Sequence, residues 1–563
     1  MVLIRFTSFI SLNIGFLFFG LNLSGQEPKA VDSKTESSAW IQSWIDANLT
    51  TLVEDYWWLH ENPELSYQES ETAKYVAAAW EKSGFEVTTG VGGHGVVALL
   101  KNGSGPTLML RTDLDALPVS EVTGLPRASK KKTTLATGAT AGIMHACGHD
   151  VHMTNLIAIG RLMAAHKDRW RGTLMLIGQP AEERGGGAQK MLDDGLFTRF
   201  PKPDFAFALH CEASKAETVA LREGYMMANV DSVDIVVKGR GGHGAAPNMT
   251  IDPIVQAAEL VMSLQTIVSR EVKPTEPAVI TVGAIHAGTK HNIIGDRCDL
   301  QLTVRSYTPE VRKLLIDSIH RKAKAIASAY GADEPTITLS DGTPALYNNI
   351  ELTKRLRKTI EATVGKDRVG EADQVMGGED FSQFGIAGVP SAMYRIGTIE
   401  SGRFDAMQRR GQTISLHAPD YYPDIDKTLP TAILTMAAAA VELMPAATSP
   451  KPTELLHTED SLKTVKERIL EKKAILVDVR ELVEWNDGHI EGAVHLPWRD
   501  LQDKFDEKKL REKLQKNVIV YTHCMVGYRA LRAGKIIEKY GYDVRPLKPG
   551  YKELLEAGFK NEK

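Results

Sequence analysis

Cysteine is scarce in this chain. The four cysteines among 563 residues, Cys147, Cys211, Cys298 and Cys524, are too few and too far apart for a disulfide framework. A chain of this length can fold on its hydrophobic cores alone, and its length predicts two to four domains. An excess of charge of one sign is also missing. The formal net charge is −4 and the pI near 6.5, so there is no basic footprint for nucleic acid. The one lysine run, Lys130 to Lys132, lies among Ser, Thr and Gly and reads as a solvated loop. A long apolar run occurs once, from Phe6 to Leu23, with no second run of spanning length, so the mature chain is expected to be soluble. One arginine precedes that run, and Ser24 and Gly25 follow it. This is the layout of a secretory signal peptide over residues 1–25, cleaved just before Gln26 or Glu27. The expected destination is the periplasm or the extracellular medium, and an uncleaved anchor helix is the alternative.

The rest of the chain alternates two textures. Residues 37–83 predict two helices around LHENPELSYQE, where Pro63 and Ser66 break the pattern. The apolar runs VVALL, TLMLRTDLD, TLMLIGQPAEE and DFAFALH then alternate with helical stretches and mostly end in polar residues. That predicts an α/β sheet covered on both faces, with ligands bound at the strand ends. Residues 225–341 read as strand, helix, strand, strand, helix, strand, which predicts an inserted α+β unit. The first domain, residues 44–224, resumes over 342–444. A Pro/Thr/Ser-rich linker spans 445–457, and 458–563 form a third, α/β unit.

The stretch MHACGHDVH, residues 144–152, concentrates three histidines, a cysteine and an aspartate. Buried together, such side chains each need a partner, and a metal ion would serve several at once. Five more segments place ligand-type residues at the ends of apolar strands: RTDLDALP, QPAEE, ALHCE, GGEDFS and SLHAPDYY. Singly, each has a bland reading, since a lone histidine is more often a surface or satisfied core residue. Their joint occurrence points to a metal centre. Thiolate, imidazole and carboxylate together suit zinc, manganese or cobalt. Two such ions can share a bridging ligand and activate a water, while a neighbouring unligated glutamate moves the proton. Glu182 and Glu183 offer one base and one ligand side by side.

LHENPELSYQE, RTDLDALP, MHACGHD, QPAEE, GRGGHGAAP, GGEDFS and SLHAPDYY resemble, in order, the motifs of the dinuclear-metal amidohydrolases. That family includes hippurate hydrolases, N-acyl-amino-acid amidohydrolases and auxin-conjugate hydrolases, and the resemblance spans roughly residues 44–444. It implies a mixed-sheet, metallopeptidase-like catalytic domain with an inserted α+β lid and dimerisation domain. It implies two divalent ions per chain held by Cys147, His149, Glu183, His210 and His417, with Cys147 as the bridge. Glu182 would be the general acid/base, and Asp113, Asp115 and Asp150 would orient the ligands. His243 in GRGGHGAAP would stabilise the oxyanion, often across a homodimer. Asn292 and Gly378 would contact the substrate. The chain departs from the pattern in a long segment from Arg127 to Ile143 and in Cys211, which follows His210.

The third unit carries HCMVGYR, residues 523–529, between a strand and a helix. With LVDVRELVEW and GHIEGAVHLP upstream, it resembles a single rhodanese-like sulfurtransferase domain with the loop pattern C-x-x-G-x-R. The resemblance implies a persulfide on Cys524, stabilised by loop amides and Arg529, with Asp478 and Arg480 as structural supports. A thiol before a helix N-terminus is expected to be exposed and acidic. Met525 and Val526 stand where polar residues are common, which leaves the sulfur donor open.

The expected protein is therefore an exported metal-dependent amidohydrolase acting on N-acyl amino acids or small peptides, with a sulfur donor and acceptor for its last domain and no nucleic-acid partner. The alternatives are a metallocarboxypeptidase or dipeptidase, or a non-catalytic scaffold with a rhodanese docking domain.

Overall fold

Unbroken apolar runs become the buried strands of the larger unit. In the computed structural model, which describes residues 36–446, 455–503 and 507–562, residues 95–100 and 108–113 are buried without alternation. That is the pattern of strands covered on both faces. The expected signal peptide and most of the expected linker lie outside the described residues. Among the described residues, no helix is long and apolar enough to cross a membrane.

The chain divides into two compact units, Met1–Ala446 and Ala447–Lys563. In the first, eight strands form one mixed sheet. Their order is Glu86–Val91, Gly95–Asn102, Gly172–Gln179, Thr107–Asp113, Phe205–Lys215, Ser391–Ile399, Val219–Leu221 and Val369–Glu371. The centre is parallel, with Thr107–Asp113 between Gly172–Gln179 and Phe205–Lys215. Successive side chains feed opposite faces: Leu108, Leu110, Leu174 and Leu176 join one core, and Met109, Met175 and Ile177 join the other. The first core also takes Trp80, Trp170 and the helix His149–Ala165, buried along nearly all its length. The predicted helices over 37–83 form as Glu36–Glu61 and Ser70–Lys82. Parallel register sets Asp113 beside Gln179 and His210 beside Arg395, so polar residues of adjacent strands gather at one edge of the sheet.

Residues 229–343 follow strand, helix, strand, strand, helix, strand. They build an antiparallel four-stranded sheet in the order Ala278–Ala287, Arg297–Ser306, Asn229–Lys238, Thr336–Thr343. Burial alternates along Asn229–Lys238, as expected of a sheet with one covered face. Both long helices, Pro253–Thr266 and Pro309–Ala329, start with proline at the first position. Asp252 and Thr308 cap them by accepting from the amides of Ile254 and Val311.

In the second unit four parallel strands run in the order Val494–His495, Ala474–Asp478, Ile519–His523, Asp543–Pro546. Separate clusters, one around Val477 and Val520 and one around Leu476 and Tyr521, again divide alternate residues between two faces. The architecture is mixed α/β throughout, as the sequence predicts.

Candidate metal centre

Three loops and two strands converge at the polar edge of the large sheet. Cys147 leads into the helix His149–Ala165 through Gly148, which sits at φ 82°. A Cβ there would lie 2.9 Å from the Cys211 sulfur, so only glycine lets the Cys147 loop approach that strand. Glu182 and Glu183 form a short turn after Gly172–Gln179. The turn is entered through Ala181 in the left-handed region at φ 51°, whose amide donates to Glu69 Oε1 at 2.7 Å. His417 is likewise left-handed, and its amide donates to the Ala146 carbonyl at 2.8 Å, which ties the 415–422 segment to the cysteine loop.

Two groups of donor atoms share Cys147. Cys147, His149 and His210 place ligand atoms within 4.8 Å of one another, and so do Cys147, Glu183 and His417. The Cys147 sulfur lies 3.6 Å from His210 Nε2 and 3.2 Å from His417 Nε2, and Glu183 Oε1 lies 3.5 Å from His417 Nε2.

Neighbouring groups fix the tautomers. His149 Nδ1 faces the Asp115 carbonyl at 2.8 Å and His210 Nδ1 faces the Cys211 carbonyl at 2.7 Å. A carbonyl only accepts, so each Nδ1 carries the proton and each Nε2 presents its lone pair to the centre. Asp115 also accepts from Ser66 and from the Glu183 amide, and thereby positions both ligands. Asp113 accepts a hydrogen bond from His152 Nδ1 at 2.7 Å, while His152 Nε2 accepts from the Cys211 amide.

The electrostatics fit cations. His149 Nε2, Glu183 Oε1 and Asp115 Oδ1 are buried without a hydrogen-bond partner, which is costly unless a ligand completes them. Burial raises the Glu183 pKa to about 7. Glu182 is pushed well above the usual carboxylate range by burial and then by Glu379, Glu183 and Asp380. Burial opposes charge on His149, but Asp113 and Asp115 outweigh it and lift its pKa to about 10. A field that draws a proton to Nε2 draws a divalent cation to the same place. Burial holds His210 neutral and keeps the Cys147 thiol protonated, and only a nearby cation would make that thiol a good ligand.

The sequence reading does not assign the side chain of Arg111. It is buried and spans Gln179 at 2.9 Å, Asp113 at 2.8 Å, Glu379 at 2.9 Å and Asp380 at 3.2 Å. It is the guanidinium that holds this cluster of carboxylates together. The signal is an arginine at the end of an apolar strand, where burial is tolerated only with several acceptors. His152, three residues after His149 on the same helix, is also unassigned by the sequence, since its role depends on which face of that helix it occupies.

Other expected residues lie elsewhere. Asp150 bonds His60 Nδ1 at 2.7 Å and the Val151 amide, so within this chain it pins the first helix and contacts no candidate ligand by hydrogen bond. His243 and Asn292 stand together on the inserted unit, where the Gly244 amide donates to the Asn292 carbonyl. Both are exposed, and the structure places neither in a ligand group. Gly378 packs so closely on Val230 that a Cβ would meet it at 2.5 Å.

In the second unit the expectation of an exposed thiol is corrected: Cys524 is 1% exposed. The reason is local. The Tyr551 amide donates to the Cys524 carbonyl at 2.9 Å, and Gly550 lies against the Met525 carbonyl, so the 548–551 segment closes over the loop. Arg529 makes a two-pronged ion pair with Glu484, both bonds 2.6 Å. Arg480 is bound to Asp478 and stacks 3.8 Å from the Tyr551 ring centroid. Asp478 and Arg480 are thus buried supports of each other.

Comparison with known proteins follows the same division. The pattern of peptidase family M20/M25/M40 matches residues 109–442, and that of the rhodanese-like domain matches residues 461–557. The chain is 40% identical over 334 residues to the hippurate hydrolase of Campylobacter jejuni, covering 58% of this chain and 82% of that one. It is 39% identical over 345 residues to thermostable carboxypeptidase 2 of Saccharolobus solfataricus, covering 60% and 84%. The crystal structure of the Bacillus subtilis YXEP protein, described as a dinuclear metal binding peptidase from the M20 family, aligns with a TM-score of 0.59 at 30% identity, covering 71% of this chain and 99% of that one.

Proposed function

The chain belongs to peptidase family M20/M25/M40 and carries a C-terminal rhodanese-like domain; from that premise we propose that it hydrolyses the amide bond of N-acyl amino acids or small peptides. The observation that carries the reading is the pair of ligand groups sharing Cys147, with Glu182 in a further group with His149 and Glu183. Cys147, His149 and His210 would hold one divalent ion and Cys147, Glu183 and His417 the other, of zinc, manganese or cobalt. Such ions supply Lewis acidity for the scissile carbonyl and make a water acidic enough to attack at neutral pH. Glu182 accepts that water's proton and returns it to the leaving amine. Burial first, and then Glu379, Glu183 and Asp380, favour its protonated form, which suits the second transfer.

His243 completes the site from a second copy, in a homodimer formed through the inserted unit. The exposure of Ile254, Val255, Met262 and Ile285 on that unit supports the dimer. The protein is exported by residues 1–25. Cys524 carries sulfane sulfur between a donor and an acceptor. The likeness to a carboxypeptidase favours a second reading, in which the amine released is the C-terminal residue of a peptide.

A screen of N-benzoyl, N-acetyl and N-aminoacyl amino acids, each with free and blocked carboxylate, decides between them. Rapid cleavage of N-benzoyl and N-acetyl amino acids with free carboxylates is expected, and preference for the peptides would favour the second reading. No cleavage by metal-replete protein would overturn both. Cys524→Ser is expected to abolish sulfur transfer to cyanide and leave amide hydrolysis intact.

A further inference from the structure

The five candidate ligands are not equally enclosed. Cys147, His149 and His210 are at most 6% exposed, and the Glu183 side chain is 11% exposed. His417 differs: its side chain is 53% exposed, and it stands in irregular backbone between the helix Ser401–Arg409 and the helix Ile425–Leu443. Neither a helix nor a strand sets its direction, so contacts from outside the 415–422 segment must do so. The geometry points to Arg403 as the residue that positions His417 for the second ion, the one assigned to Cys147, Glu183 and His417. This rests on the metal-centre reading above.

The backbone of the segment shows which contacts those are. The carbonyls of Pro419, Asp420 and Tyr422 each accept from a donor outside it. The Val122 amide donates to Pro419 at 2.8 Å. Arg403 serves the other two, donating through Nη2 to Asp420 at 3.0 Å and through Nη1 to Tyr422 at 3.3 Å. Its guanidinium also lies 3.9 Å from the Tyr422 ring centroid, so one planar fork grips two carbonyls and an aromatic face. Arg403 is itself fixed. It lies in the first turn of its helix, where the Glu400 side chain accepts from the Gly402 and Arg403 amides at 2.8 and 2.6 Å. Asp405, two residues on, pairs with Lys215 at 2.6 Å, at the end of the strand that carries His210. The arginine thus ties the His417 segment to the strand of a ligand for the first ion.

Loss of this grip lets His417 Nε2 move away from the Cys147 sulfur at 3.2 Å and from Glu183 Oε1 at 3.5 Å. The group of Cys147, His149 and His210 is held by other elements and keeps its place. The effect therefore falls on one ion of the two. Removing a partner that orients a metal ligand typically costs about 10- to 100-fold in metal affinity.

Reloading the full chain with cobalt in competition with a chelator tests this, in the wild type, Arg403→Ala and Arg403→Lys. The wild type should bind two ions. Arg403→Ala should bind the first as the wild type does and the second about 10- to 100-fold more weakly. Lysine keeps the charge but not the fork, so Arg403→Lys should recover only part of that loss. The visible absorption of the second cobalt ion should change in Arg403→Ala, and that of the first should not. Equal second-ion affinity in the wild type and Arg403→Ala would overturn the role of Arg403. So would an equal weakening of both ions, the mark of a general loss of structure. A wild type that takes up fewer than two ions would instead overturn the two-ion reading, and the proposal with it. Should Arg403→Ala fail to fold, Arg403→Lys decides: second-ion affinity equal to that of the wild type would overturn the proposal.

Discussion

The cysteines of the two candidate sites, Cys147 and Cys524, sit in opposite surroundings. Around Cys147, the buried donor atoms His149 Nε2 and Glu183 Oε1 are left without partners, among carboxylates that outnumber the guanidiniums of Arg111 and Arg395. Around Cys524, the two arginines are each closed by a carboxylate, and the thiol itself lies among Val477, Val520 and Ala530. One site is electrostatically incomplete and asks for cations. At the other, the two buried ring nitrogens of His523 also lack partners, but the neutral ring and the closed arginine–carboxylate pairs leave no excess of negative charge for a cation. Buried, unpartnered donors set among an excess of carboxylates are therefore what distinguishes the candidate metal site from the other.

The widest gap between the sites should appear in Glu182→Gln. Removing the proton carrier without removing a ligand is expected to lower amide turnover by about 10² to 10⁴-fold while metal content and sulfur transfer stay unchanged. Turnover within a few fold of wild type would mean that another group moves the proton.

Asp478→Ala should strike the second unit alone. It leaves Arg480, 2% exposed, with the Gly488 carbonyl as its remaining hydrogen-bonded oxygen. Stranding a buried charge costs about 3–5 kcal/mol, which calorimetry of the full chain should register in one transition only. An equal loss in both transitions would contradict the independence of the two sites.

A smaller effect comes from His523. Burial, partly opposed by Asp478, lowers its pKa to about 4, against about 6.5 for an unfolded histidine. Between those values the unfolded chain binds a proton that the folded one excludes. The stabilisation is present in full above about pH 6.5 and is lost as pH falls toward 4, on the order of 3 kcal/mol in all. His523→Gln should flatten the acid limb of the unit's stability profile; an unchanged limb would place the linkage elsewhere.

Much of this contrast is legible in the amino-acid sequence. Alternating apolar and polar stretches predict the mixed α/β architecture, and the strand-end motifs name the residues that form both ligand groups. Arg111 and His152 escape such a reading because their importance lies in partners distant in sequence, such as Glu379 and the Cys211 amide. The depth of Cys524 is hidden for a similar reason. A strand-to-helix turn suggests an accessible thiol, but Gly550 and Tyr551, more than twenty residues on, close over it. His243 and Asn292 stand exposed on the inserted unit, outside both Cys147 ligand groups.

Both candidate metal positions depend on Cys147, which belongs to two ligand groups at once. Metal analysis by mass spectrometry of the wild type and of Cys147→Ala, purified in parallel and checked for folding, tests this directly. Two equivalents of divalent ion per chain are predicted for the wild type, and loss of both in the variant. A wild type that takes up no more than one ion, or a variant that keeps two, would contradict it.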